Sequence, residues 1–213
     1  DDFKELIIKP RVSQLAASID SDLANVYKQI GQSVGTAGTT PATSQVMLSG
    51  QQKLNEAAAM MSPRYATVNP AANASLVEGL KGLFNPTDVV GRQFKSGMMG
   101  SGVLGYEEIN MSQSIKQHTT GSRSSGATVA TTISAQGATT IALTTNGASD
   151  TIKEGDVFTI ASCNAVNPQT RQSTGSLYQF VVTADVTASG SAATVTVAAI
   201  YDADQALATI DVL

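Results

Sequence analysis

Along residues 8–31 the apolar side chains Val12, Leu15, Ile19, Leu23, Val26 and Ile30 recur at spacings of three and four. At 3.6 residues per turn these positions form one stripe, so the spacing predicts an amphipathic helix. Pro10 suits its first turn, where a missing N–H costs no helical bond, and Gly31 is a natural stop. A helix of that length is a rod of roughly 35 Å, long for a small domain. GTAGTTPATS, residues 35–44, reads as a flexible connector. A second helix is predicted from about Gln45 to Met61, with Met47, Leu48, Leu54, Ala58 and Met61 on its apolar side. The short alternating run 64–69 predicts a buried strand, and Pro70 opens a helix carrying Leu76, Val77, Leu80 and Leu83. Residues 85–94 predict a turn and a shorter helix capped near Thr87 or Asp88. Strands are predicted at 103–109 and 111–117. The order is a mixed α/β arrangement whose sheet is covered on at least one face.

From Gly121 onward the helical period disappears. GSRSSGA is a linker, and strands are predicted at 127–134, 138–144, 156–162, 177–184 and 193–200. NGASD, NPQTRQSTG and ASGSA divide them. Several short strands at such spacing predict a sandwich or barrel. Gly155-Asp156 makes a turn that feeds Val157, Phe158 and Ile160 into a sheet. The closing DADQALATIDVL is polar, then weakly apolar, and is expected to return to the first domain, which makes the β module an insertion.

Composition adds one constraint. Only 14% of residues are charged, against about 25% in ordinary globular proteins, and Ala, Thr, Ser and Gly fill the difference. Such a surface has few charges to keep molecules apart and suits a protein whose faces are covered by neighbours. An ordinary Thr-rich surface domain fits the same composition. The net charge of −4 and the lack of any basic run argue against reading DNA. No stretch approaches the ~18 consecutive apolar residues that span a bilayer. The chain begins Asp1-Asp2 without Met or a signal-peptide pattern, and is read as a fragment of a longer protein. Its single cysteine, Cys163, permits neither an intrachain disulfide nor a zinc–cysteine cluster. Flanked by Ile160, Ala161 and Val166, it is expected to be a partly buried, inert thiol.

Candidate chemistry is sparse. GSGVLG, residues 100–105, matches G-x-G-x-x-G, but a dinucleotide site needs a strand before and a helix after. Here a Gly/Met-rich stretch precedes and a strand-like run follows, so a flexible surface loop is the better reading. Glu107 and Glu108 are adjacent and in a strand face opposite ways. Asp202 and Asp204 share a face but supply too few oxygens for a cation site, and a solvated turn is the simpler reading. His118, in QHTTGS, stands beside no carboxylate and is expected at the surface. Met98-Met99 is either a soft contact patch or plain packing. No catalytic, cofactor-binding or metal-binding residue is assigned, and no cofactor is implied.

The order of segments carries more information. FKELIIKPRVSQLAASIDSDLANVYKQIG, YATVNPAANASLVEGLKGLFNP, GVLGYEEINMSQSIKQHTTG and GDVFTIASCNAVNPQTRQSTGSLYQFVVT together resemble tailed-bacteriophage major capsid (coat) proteins. They look like the coat proteins of the Salmonella short-tailed phages, podoviruses whose coat carries an inserted β domain. The resemblance implies an α+β class and a partial tailed-phage capsid fold. In that fold 1–34 is the spine helix of the peripheral domain, 35–122 the axial domain, 123–201 an inserted β-barrel and 202–213 the return to the axial domain.

The implied function is a structural virion protein that self-assembles into an icosahedral shell around double-stranded DNA. Copies of itself, scaffolding protein and portal protein are the implied partners. Sequence-specific nucleic acid and membrane are not. Assembly belongs to the host bacterial cytoplasm and the product to the virion. The arm that precedes the spine helix and the peripheral sheet that follows it in such coats lie outside these residues. The stripe of 12–30, lacking that sheet, is expected to pack on another chain or on the second helix. A phage fibre or adhesin-like binding module, holding a ligand on loop 163–176, is the alternative. An enzyme ranks behind both and would need a pocket joining His118 to Glu107 or Glu108.

Overall fold

The computed structural model describes residues 3–79, 96–97, 99–115, 117–123, 126–130, 138–145, 147–200 and 209–211. The chain divides into two compact units. One comprises Asp1–Tyr27, Thr40–Leu48 and Ser62–Gln117; the other comprises Lys28–Thr39, Ser49–Met61 and His118–Leu213.

The predicted first helix is present in three consecutive pieces. A π-helical turn, Lys4–Ile8, leads into α1 (Lys9–Ala24), which tightens into a 3-10 turn at Asn25–Gln29. Pro10 lies at the start of α1, where the missing N–H is harmless. The apolar stripe is not covered by the second helix, contrary to one of the two expectations for it. Val12, Leu15, Ile19, Leu23, Val26 and Ile30 are each more than half exposed, up to 67% at Leu23, and Phe3, Leu6 and Ile7 are exposed as well.

The second helix, α2 (Ser44–Glu56), turns its own side chains elsewhere, Met47 toward the core of the first unit and Lys53 toward Gln179. It also stops five residues short of the predicted end. Ala58 adopts a left-handed φ of 55°, and the Ala59 N–H closes on the Leu54 carbonyl at 2.9 Å, the six-to-one bond of a Schellman cap. Glycine usually marks that position, so the sequence carried no stop signal there.

The first unit packs two helical segments on a three-stranded sheet. β1 (Tyr65–Val68) runs parallel to β3 (Tyr106–Met111), and β2 (Gly100–Val103) runs antiparallel to β3, giving the order β1-β3-β2. β2 and β3 form a hairpin, so the strands predicted at 103–109 and 111–117 are redrawn as 100–103 and 106–111. The cause is Leu104-Gly105, whose φ values of 54° and 80° make the two-residue turn that matches strand twist. α3 (Pro70–Gly79) begins as predicted; Asn69 caps it by accepting the Ala72 N–H on Oδ1 at 2.7 Å. Leu76, Met99, Tyr106 and Ile109 form the buried core, with Met47, Val68, Val77 and Val103 against it. Met99 is therefore a core residue. The predicted helix at 85–94, together with Leu80, Leu83 and Met98, falls outside the described residues.

The second unit is antiparallel throughout. Its strands are β4 (Thr128–Val129), β5 (Ala138–Thr144), β6 (Thr151–Ile152), β7 (Val157–Val166), β8 (Ser173–Val181), β9 (Val186–Thr187), β10 (Ala192–Ile200) and β11 (Thr209–Asp211). They form sheets in the orders β10-β5-β4, β11-β7-β8 and β6-β9. Each predicted strand from 127 to 200 corresponds to one of these, but no closed barrel joins them among the described residues. The tail read as returning to the first domain supplies β11, which pairs with β7.

Inward residues of both larger sheets, among them Ile141, Leu143, Phe158, Ile160, Phe180, Val182 and Val195, make one apolar core. Phe158 and Phe180 are register partners on β7 and β8 and stack at 5.5 Å. Cys163 is buried in this core, deeper than expected. Between Thr159 and Asn164 the β7–β8 register slips, and Ser162 there takes a φ of 67°, as a bulge requires.

Two stability predictions follow from local geometry. Ala58→Gly removes a Cβ from a left-handed cap and should raise the urea midpoint by about 0.5–1 kcal/mol of stability. Ile141→Ala empties a fully buried site and should cost about 2–5 kcal/mol in the same measurement. A third concerns pH. The Tyr106 hydroxyl donates to the Met47 carbonyl at 3.1 Å, and burial, partly offset by Arg64, raises the phenol above its ordinary 10.0. The folded state thus holds that proton more tightly than the unfolded chain, so the stabilisation is present below pH 10 and is lost as pH rises beyond it. Tyr106→Phe should be about 1 kcal/mol less stable at neutral pH and should lose less further stability above pH 10.

Candidate functional site

GSGVLG is β2 and its turn, and the segment that follows it is β3, a strand. The helix N-terminus that a phosphate would need after the glycines is missing from this place. The stretch is also a strand where a flexible loop was expected: Gly100 and Gly102 take φ of 77° and 68°, yet Gly100, Ser101 and Val103 pair with β3. Glu107 and Glu108 are both exposed, while Tyr106 and Ile109 on either side are buried. Asp202 and Asp204 lie outside the described residues. No group of three or more His, Cys, Asp or Glu placed to hold a metal occurs among the described residues.

His118 does have a carboxylate neighbour, which corrects the reading from sequence. Its Nε2 lies 2.7 Å from Asp156 Oδ1, and both side chains are largely buried. An ionised carboxylate only accepts, so Nε2 carries the hydrogen. Asp156 stands 38 residues downstream, in the turn where the Asp156 N–H donates to the Lys153 carbonyl and Gly155 takes a φ of 93°. Its Oδ2 accepts two backbone N–H groups, from Lys153 at 2.8 Å and Gly121 at 3.1 Å. Chain separation hid this pairing; only the fold brings the turn beneath His118.

Asp156 is one of several ties on the strap 118–123. Ser122 and Thr151 exchange backbone-to-hydroxyl bonds, each 2.9 Å. The Arg123 Nη1 donates to Asp150 Oδ2 at 2.8 Å, and the same oxygen accepts the Gly147 N–H. A histidine–aspartate pair serves catalysis when a nucleophile sits on the other ring nitrogen with an oxyanion site beyond it. Here Nδ1 and Cε1 lie at the Gly155 backbone, 3.3 and 3.1 Å from where a Cβ on that residue would stand. The pair fastens a strap.

A second set of ties holds residues 28–33 and the end of α2 to the β7–β8 hairpin. Gln179 accepts the Ser33 N–H on Oε1 at 3.0 Å, donates from Nε2 to Ser33 Oγ, and also accepts from Lys53. Burial lowers the Lys53 pKa, and neighbouring Glu56 partly offsets that. The Asn167 side chain donates to the Glu56 carbonyl at 2.8 Å and accepts the Gln169 and Thr170 N–H groups. Loop 167–172 is therefore ordered by its own asparagine. These contacts align backbone, and they converge on no reacting atom.

What the molecule presents instead is surface. Single soluble chains rarely leave more than a few hundred Å² of contiguous apolar area in water. Here Val12, Leu15, Ile19, Leu23, Val26 and Ile30 are all exposed at helical spacing, on a chain with only 14% charged residues. The family model described as P22 coat protein, gene protein 5, matches residues 1–210. The chain belongs to the P22 coat protein family. It is a structural major capsid protein of a tailed phage, and its working form is the self-associated shell of the virion. No curated protein matches the chain. The resemblance carried by segment order therefore holds across nearly the whole sequence, and the absence of a reaction centre in that reading agrees with a family that is structural.

In this coat protein the strap contacts should be measurable. Asp156→Ala leaves the Lys153 and Gly121 N–H groups and the His118 ring without their acceptor. It should lower stability by about 1–3 kcal/mol, read from the urea midpoint, with Asp156→Asn milder.

Proposed function

We propose that this coat protein tiles the shell with three parts. Residues 1–34 act as the spine helix, 35–122 as the axial domain, and 123–201 as an inserted β-barrel-type module to which β11 adds an edge strand. Scaffolding and portal proteins join copies of the chain during assembly in the host cytoplasm. The observation that supports this reading is the exposed apolar face of α1, which is a contact face in search of a cover. Each subunit in a shell is held at several contacts at once. A contact of a few kcal/mol becomes decisive there, because leaving requires all of them to break together. Sparse surface charge lowers the repulsion between like subunits.

The test is a double substitution on the stripe, Leu15→Glu with Leu23→Glu, in coat protein expressed with its scaffolding partner. Both side chains are exposed in the single chain, so its urea stability should shift by less than about 0.5 kcal/mol. Shells seen by electron microscopy should disappear. Normal shells from the double variant would refute the role given to this face.

A further inference from the structure

We propose that the second unit contains a binding site for one small, mainly apolar molecule, in a pocket of about 270 Å³ that opens to solvent beside the strap 118–123. Its walls are Leu143, Ile152, Val157, Phe158 and Val195, on β5, β6, β7 and β10, and its rim is Thr120–Arg123 with Asp156. Four of the five wall residues are buried members of the apolar core. This volume exceeds the roughly 150 Å³ that accommodates benzene, so it has room for a ring with one or two further carbons.

Three features fix that ligand class. Two ion pairs, His118 with Asp156 and Arg123 with Asp150, occupy charged groups at or beside the rim. The Asp156 carboxylate accepts from three donors, which leaves it little capacity for another. The strap, finally, is pinned. A Cβ on Gly121 would stand 2.0 Å from the Thr151 carbonyl oxygen, so the strap already sits at its closest approach. The paired Ser122–Thr151 bonds hold it there, and the space cannot be closed by letting the strap sink.

A molecule that enters only the folded unit stabilises it by mass action. The experiment adds benzene, then toluene, to the full chain with methyl-labelled Leu, Ile and Val and follows the spectra. Signals of Leu143, Ile152, Val157 and Val195 should shift saturably, while those of Leu76 and Ile109 in the other core stay fixed. At ten times the dissociation constant the folded-to-unfolded ratio of the unit should rise about elevenfold. Val157→Phe fills the cavity and should abolish both effects. Ala37→Leu, on an exposed residue that also lines the space, serves the same purpose if the first variant does not fold. The proposal is overturned by unmoved signals at saturating benzene, by equal shifts in both cores, or by unchanged binding in a folded filling variant.

Discussion

A helical rod from Lys4 to Gln29, roughly 40 Å long at 1.5 Å per residue, keeps its entire apolar face in water while it is alone. Burying a Leu, Ile or Val side chain is worth about 1.5–3 kcal/mol. A row of such residues left exposed is therefore a large reserve of free energy that only a partner can release. In the role proposed for this face that reserve has a use, since it is held back from the single chain and made available to association. The rest of the molecule is compatible with this arrangement because neither apolar core includes a residue of α1. Each has its own closed apolar core.

The two cores are built by different means. In the first unit α3 and the start of α2 cover a small mixed sheet, and hydrogen bonds such as Tyr106 to Met47 fix helix to strand. In the second, two antiparallel sheets bury a continuous Ile/Leu/Val/Phe interior, while polar side chains fasten the peripheral segments. Asp156, Asp150, Gln179 and Asn167 each satisfy several donors or acceptors at once. This division fastens the peripheral segments with few charged groups. It also gives conspicuous polar groups such as His118 and Asp156 a structural task. They hold chain segments at fixed distances, which a subunit repeated many times in a shell requires of its parts.

Much of the architecture was legible beforehand. The stripe from Val12 to Ile30 announced α1, and Pro70 announced α3. The β-rich runs after Gly121 located β5, β7, β8 and β10 within a few residues. The misses share a cause. Ala58 and Leu104 adopt left-handed backbone without being glycine, so the end of α2 and the turn of the β2–β3 hairpin carried no compositional mark. The GSGVLG run looked like a loop because glycine is common in loops, yet strand pairing with β3 orders it.

By itself the sequence determined which residues are apolar and at what period, and with that the helix, the strands and membership in a shell-forming family. Those are properties of neighbours along the chain, where spacing translates directly into a face. The tertiary structure alone decided that α1 stays exposed in the single chain, that Asp156 would clasp a histidine 38 positions away, and that the strap would flank a pocket. Such outcomes depend on three-dimensional closure between distant segments, and the spacing of residues along one chain does not encode which distant groups the fold will set side by side.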